Sequence, residues 1–167
     1  RERFPAAEAH LLDISEKMMA KSRERLAGTD GVRFYIADYD REEQPGNYPL
    51  VVSAKSIHHL SDDGKQRLMK KIFAALTPGG CFIHAELALG ATAATEAVYQ
   101  RRWRRHLEAT NIGKDALAVI YERMACDRPA TIEQQLSWMR ASGFMDVDCF
   151  FKHYNFIVYA GKKPEGD

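Results

Sequence analysis

Two adjacent histidines, His58 and His59, are the first residues whose type and position suggest chemistry. They follow the run Tyr48-Pro49-Leu50-Val51-Val52, which gives way to the small residues Ser53 and Ala54. A short run that is apolar on both faces and carries β-branched residues predicts a strand buried on both sides, as in a parallel sheet. Ligands of open α/β sheets sit just beyond the carboxyl ends of the strands. An imidazole at such an edge can take or give a proton near neutral pH. The plainer alternative is a strand cap with solvated histidines.

Carboxylates recur in the same kind of place. Asp13 closes the apolar stretch Ala9–Asp13, Asp38 follows the stretch of residues 32–37, and Glu86 stands near the end of residues 81–87. An acid ending one strand of a nucleotide-binding sheet can accept hydrogen bonds from both ribose hydroxyls. An acid ending the next can accept from an adenine exocyclic amine, while the following backbone N–H, here Tyr39, donates to the ring. Aspartate also forms turns at strand ends. The informative feature is therefore the pair, followed by the small polar end of a third strand. Glu86 is a second candidate for contacting an amino group or an acceptor, although a helix-cap or surface acid is the preferred reading.

The elements that must position these groups follow from pattern. Ser15 is a plausible N-cap for a helix running to about residue 27, with Met18, Ser22 and Leu26 on one face. Ser61 or Asp62 caps a second helix whose Leu68, Ile72 and Leu76 form an apolar stripe. Thr77-Pro78-Gly79-Gly80 is a strong turn signal before the strand at residues 81–87. The order β-α-β-β-α-β predicts a parallel sheet with helices on its faces. Residues 91–142 read as a helical insert, and their last helix carries capping-box spacing at Thr131 and Gln134 and ends at Gly143. Residues 144–153 and 154–161 then read as two strands. Their link is too short for a crossover, so an antiparallel hairpin is expected.

Composition sets the outer limits. The chain has 167 residues, 46% hydrophobic and 28% charged, which fits one domain with one core. A net charge of +1 supplies no global field to recruit nucleic acid or an anionic membrane. The cluster Arg101-Arg102-Trp103-Arg104-Arg105 therefore reads as a solvated helix face with Trp103 buried, not as an RNA contact. Cys81, Cys126 and Cys149 are far apart, and Cys81 and Cys149 lie in apolar strand-like runs, which suits buried thiols in a reducing compartment. No apolar run approaches the roughly 20 residues of a bilayer span, and a cytoplasmic location is expected. His10, His84, His106 and His153 show no metal-ligand spacing, so no metal is expected.

Taken together, His10-Leu11-Leu12-Asp13-Ile14-Ser15, residues 32–38, Leu50-Val51-Val52-Ser53, Ile57-His58-His59-Leu60, Leu76 through Gly80 and Ala141-Ser142-Gly143-Phe144 resemble a class I S-adenosylmethionine (SAM) dependent methyltransferase. The insert and the C-terminal hairpin more loosely resemble the subgroup around carboxy-SAM synthase of tRNA wobble-uridine modification. The resemblance implies an α/β, Rossmann-like mixed sheet, parallel with one antiparallel C-terminal strand, and a single domain over residues 1–167. It implies SAM as cofactor and in-line methyl transfer to a small-molecule acceptor, with a carboxyl variant of that chemistry left open. By the same resemblance Asp13 would hold the ribose, Ile14 would pack on the adenine, and Asp38 and Tyr39 would read its edge. Ser53 and Ala54 would line the methionine end, and His58 would sit where the acceptor enters, as a candidate general base.

One departure stands out. The family opens with a strand and a glycine-rich turn that this sequence does not contain. The expectation is an N-terminally truncated methyltransferase that binds SAM weakly unless another chain supplies the strand, with an exposed mid-sheet edge favouring a homodimer. Two other classes compete: a non-catalytic protein that uses the helical insert as a binding surface, and a nicotinamide-dependent oxidoreductase. The second acid at Asp38, the Thr77–Gly80 turn and the final hairpin disfavour the oxidoreductase.

Overall fold

The computed structural model describes residues 4, 6–42, 46–110 and 112–166. Contacts gather the chain into two compact units, Arg1–Gln44 and Pro45–Asp167.

The first unit is a β-α-β element: β1 (Ala9–Asp13), α1 (Glu16–Arg25) and β2 (Val32–Ile36). The strands pair in parallel, Ala9 opposite Val32 through Asp13 opposite Ile36. The hydroxyl of Ser15 accepts from the Met18 N–H at 3.3 Å, fixing the start of α1. Glu16 in the first turn and Arg23 and Arg25 in the last complement the helix dipole. The expected facing of α1 is corrected by one residue. Met19 is 1% exposed while Met18 is 52% exposed. Adjacent helical residues point about 100° apart, and a three-residue stripe is a weak constraint on rotation.

The second unit holds β3 (Tyr48–Ala54), α2 (Asp62–Ala75), β4 (Leu76–Leu89), α3 (Ala93–Glu108), α4 (Lys114–Met124), β5 (Ala130–Thr131), α5 (Ile132–Ala141), β6 (Met145–His153) and β7 (Phe156–Lys162). The strand order is β3-β4-β7-β6, with β5 beside the end of β4. β3 and β4 run parallel, whereas β7 is antiparallel to both β4 and β6. This is the mixed sheet expected, with its hairpin at the end. Helices α3, α4 and α5 fill the predicted insert, and Thr131 and Gln134 make a complete capping box. Gly143 ends α5 at φ 101°, the left-handed conformation that favours glycine.

Two local readings change. β3 was expected to be buried on both faces, yet Leu50 is 49% and Val52 63% exposed. Among the described residues β3 pairs only with β4, so it is an outer strand of this sheet. Apolar residues on both faces do not say how many elements cover them. The Thr77–Gly80 segment does turn, but inside a strand. Tyr48 pairs with Leu76 and Leu50 with Cys81, so residues 77–80 bulge opposite Pro49 alone, with Gly79 at φ 71°.

The core of the second unit grows from β4. Strand alternation puts Phe82, His84, Glu86 and Ala88 on one buried face. Leu68, Met69 and Ile72 of α2 are buried, and Phe73 meets Phe144 edge-on at 5.1 Å. Trp103 is half-buried and its indole N–H donates to the Met124 sulfur, joining α3 to α4, while the flanking arginines are exposed. Cys81 and Cys149 are half-buried and Cys126 is exposed, so none is the buried thiol expected of the two strand cysteines.

Gln135 ties these elements together. Its amide donates to the carbonyls of Leu87 at 3.0 Å and Ala130 at 2.9 Å, and accepts from the Tyr159 hydroxyl at 3.1 Å. Burial and the nearby Glu86 charge push the Tyr159 pKa well up, keeping the phenol a donor. Replacing Gln135 with Ala strands three buried partners. The expected loss is roughly 2–4 kcal/mol of stability by urea denaturation. A loss within about 0.5 kcal/mol would show that this network does not hold the unit.

Candidate functional site

In the first unit the sequence-predicted acids stand at one edge. The parallel register places Asp13 alongside Ile36, and Asp38 follows two residues later, so both acids leave the carboxyl ends of the strands. Each is held by its own turn. Asp13 Oδ1 accepts from the Ser15 N–H at 2.7 Å, and Asp38 Oδ1 accepts from the Asp40 N–H at 2.9 Å. Arg41 Nε lies 3.5 Å from Asp38 Oδ2. Ile14 is 60% exposed and Tyr39 half-buried. An exposed apolar side chain next to Asp13, at the edge that also carries Asp38, suits a nucleoside, which offers hydroxyl and amine donors around a flat apolar ring.

In the second unit Ser53 and Ala54 close β3, opposite His84 and Ala85 of β4. The chain then turns through Lys55 at φ 53°, whose N–H donates to Ala85 O, into a 3-10 turn at Ile57–His59. This turn carries His58 to Glu86. The His58 Nδ1 lies 2.5 Å from Glu86 Oε1, and its backbone N–H donates to Oε2 at 3.0 Å. The Leu87 N–H donates to Oε1 at 2.8 Å. Both side chains are buried, His58 at 5% and Glu86 at 3% exposure. The preference for Glu86 as a surface or capping acid is thereby corrected: the β4 alternation turns it into the core, where His58 is its partner.

The far side of the imidazole is also occupied. Asp127, in the loop after α4, lies 3.5 Å from His58 Nε2 and 3.2 Å from His59 Nδ1. The Arg128 N–H donates to His58 O at 2.8 Å, and the buried Lys65 ammonium donates to Arg128 O, pinning the loop to the turn. His84 donates through Nδ1 to Ser53 O at 3.2 Å. Its Nε2 lies 3.2 Å from Glu86 Oε2 without an aligned hydrogen bond. A cavity of about 10 Å³ beside His58, His84, Glu86 and Lys65 has room for about one water, so it is not an acceptor chamber. Sequence reasoning passed over Asp127 and weighed His84 only for metal-ligand spacing; only the even-residue alternation along β4 could have flagged His84 beside Glu86.

Electrostatics follow from this packing. Burial alone would raise the Glu86 pKa, but the hydrogen bond from His58 and the neighbouring His84 draw it down to about 2. Burial disfavours the cationic form of His58, yet the hydrogen bond and charge of Glu86, with the charge of Asp127, leave its pKa raised.

Three kinds of relative show what the chain is similar to. A family model described as a methyltransferase domain matches residues 1–82. Carboxy-S-adenosyl-L-methionine synthase of Desulforapulum autotrophicum is 28% identical over 159 residues, covering 92% of this chain and 64% of the synthase. Trans-aconitate 2-methyltransferase of Paracidovorax citrulli is 37% identical over 79 residues, 47% of this chain and 29% of that enzyme. These similarities support a class I SAM-dependent methyltransferase. An O-methyltransferase family protein from Burkholderia thailandensis superposes over 99% of this chain and 46% of its own with a TM-score of 0.73 at 13% identity, which shows the shared fold. The chain spans less than two thirds of the length of the carboxy-SAM synthases it matches, 64%, 62% and 61% for three of them.

The buried pair sets a pH dependence of stability. Glu86 has a depressed folded pKa, so its contribution is complete above the ordinary carboxyl value of 4.5 and is lost as pH falls towards 2. That shift corresponds to on the order of 3 kcal/mol. His58 has a raised folded pKa, so its contribution is complete below the ordinary 6.5 and is lost as pH rises through the folded value. Urea unfolding should show a stability maximum between about pH 4.5 and 6.5, with both limbs flattened in Glu86→Gln. An unchanged pH profile in that variant would mean the pair is not the source.

Proposed function

We propose that this chain carries out SAM-dependent methyl transfer to a hydroxyl-bearing small molecule, with His58 as the general base. The observation that carries the reading is the 2.5 Å contact between His58 Nδ1 and the buried Glu86 carboxylate, near the carboxyl ends of β3 and β4. An imidazole held in this way has one tautomer and one orientation, and Nε2, with Asp127 Oδ1 3.5 Å away, is the nitrogen that takes a proton. A hydroxyl acceptor has a proton to lose, whereas an ionised carboxylate or an amine lone pair needs no base. Relatives named for small-molecule methylation, such as phosphoethanolamine N-methyltransferase of Plasmodium falciparum, at 31% identity over 78 residues, support a small acceptor.

The cofactor, when bound, supplies an electrophilic methyl group on a sulfonium together with its leaving group. The protein's share is positioning, exclusion of water and handling of the acceptor's proton. We assign Asp13 to the ribose hydroxyls, Ile14 to the adenine face, and Asp38 with the Tyr39 N–H to the adenine edge. Their place at one carboxyl edge of β1 and β2 supports this assignment. In the second unit, Ser53 and Ala54 are assigned to the methionine end on the family resemblance. A second reading is modification of SAM itself. It is favoured by the carboxy-SAM synthases, whose similarity runs over 87–92% of this chain.

Calorimetric titration with S-adenosylhomocysteine, with NAD as control, tests the cofactor. Binding of the homocysteine compound alone is expected, weakened at least about 10-fold in Asp13→Ala by loss of a hydrogen-bonded charge. Binding of NAD instead would overturn the reading. With radiolabelled methyl-SAM and a panel of hydroxylated small molecules, His58→Ala should lower transfer by about 10²–10⁴-fold with little change in cofactor affinity. Undiminished transfer in that variant would remove His58 as base.

A further inference from the structure

His58, His59 and Asp127 bring three metal-ligating atoms together. The Asp127 Oδ1 lies 3.5 Å from His58 Nε2 and 3.2 Å from His59 Nδ1, and all three atoms fall within 4.8 Å of one another. Tetrahedral zinc, with bonds of about 2.0–2.2 Å to nitrogen and oxygen, sets its ligands about 3.3 Å apart. Two of the three edges already have that length. The third lies between the two imidazoles, and His59, with a side chain 53% exposed, has room to rotate and close it.

The surroundings are those of a ligand site more than of a chance cluster. A metal-bound imidazole ordinarily directs its other nitrogen to a carboxylate, which fixes tautomer and orientation. Glu86 occupies that place on His58 Nδ1, buried and at 2.5 Å. The hydrogen bond from Arg128 N to His58 O, and the Lys65 ammonium on Arg128 O, hold the loop of Asp127 to the histidine turn. Asp127 is 16% exposed and His59 faces solvent, which leaves an entry path and an open coordination position. Two imidazoles with one carboxylate select zinc-like transition cations over calcium or magnesium, which take oxygen ligands.

We propose that His58 Nε2, His59 Nδ1 and Asp127 Oδ1 form a binding site for a divalent transition-metal cation of the zinc class. The proposal departs from the expectation of no metal, which rested on spacing along the sequence. Insofar as His58 is the proton acceptor proposed above, the two uses of Nε2 exclude each other. A cation on that lone pair leaves no base there, so occupancy switches proton transfer off.

The test uses the chain stripped with a chelator and titrated with Co²⁺, followed by visible absorption, and with Zn²⁺ by calorimetry. One equivalent with a tetrahedral-type cobalt spectrum is expected. His59→Ala and Asp127→Ala should each weaken binding at least about 10-fold, and Glu86→Gln by about 10–100-fold. The exposed His153→Ala should bind as the parent does. His59 is exposed, so its variant keeps the core intact and makes the result readable even if Glu86→Gln unfolds. Metal binding equal in the parent and the His59→Ala and Asp127→Ala variants, or absent from the parent, overturns the proposal. Homocysteine-compound binding is read separately. If it persists while cobalt binding fails, the metal site alone falls; if cobalt binds and NAD binds in place of the homocysteine compound, the methyltransferase reading falls.

Discussion

A carboxylate buried at 3% exposure is the constraint on which the second unit depends. Removing Glu86 from water is costly unless its oxygens are repaid in hydrogen bonds and opposite charge. The fold repays both oxygens. The Leu87 N–H and His58 Nδ1 meet one, and the His58 N–H meets the other. Two of these three groups belong to His58, so the turn after β3 is placed by the needs of a residue on β4. The same turn then anchors the loop after α4 through Arg128 and Lys65. Parallel pairing of β3 with β4 makes this possible, because it brings the ends of both strands to one edge.

The chemistry divides between the two units by residue type. The first offers acceptors, Asp13 and Asp38, held by short local turns beside an exposed isoleucine. Acceptors of this kind demand orientation more than burial. The second offers a histidine between two carboxylates, screened from water. Charges there act at low effective dielectric and shift protonation strongly. The Glu86 pKa near 2 is the visible result. It keeps the carboxylate ionised, which in turn keeps Nδ1 of His58 the donor.

Local patterns were readable because their causes are local. Caps at Ser15, Ser61 and Thr131 depend on a side chain and the N–H groups of the next turn. The hairpin follows from a link too short for any crossover. The acids at Asp13 and Asp38 were visible because a strand end is marked by a change of residue type. The facing of α1 was not readable, because Met18 and Met19 are equally apolar and only packing chose Met19. The exposure of Leu50 and Val52 was hidden for a related reason, since an apolar strand looks the same at the rim of a sheet as at its centre.

The sequence alone determined the class of the fold, the order of its elements and the candidate nucleoside-binding acids. Each of these rests on periodicity, capping or turn chemistry within a few residues. Tertiary structure alone decided what His58 is. Glu86 read as a helix-cap or surface acid, and Asp127 carried no signal in the sequence. Their partnership spans β3, β4 and the loop after α4, elements far apart along the chain. No short-range pattern encodes it, because the strand pairing and the burial cost of one carboxylate are what bring the three together.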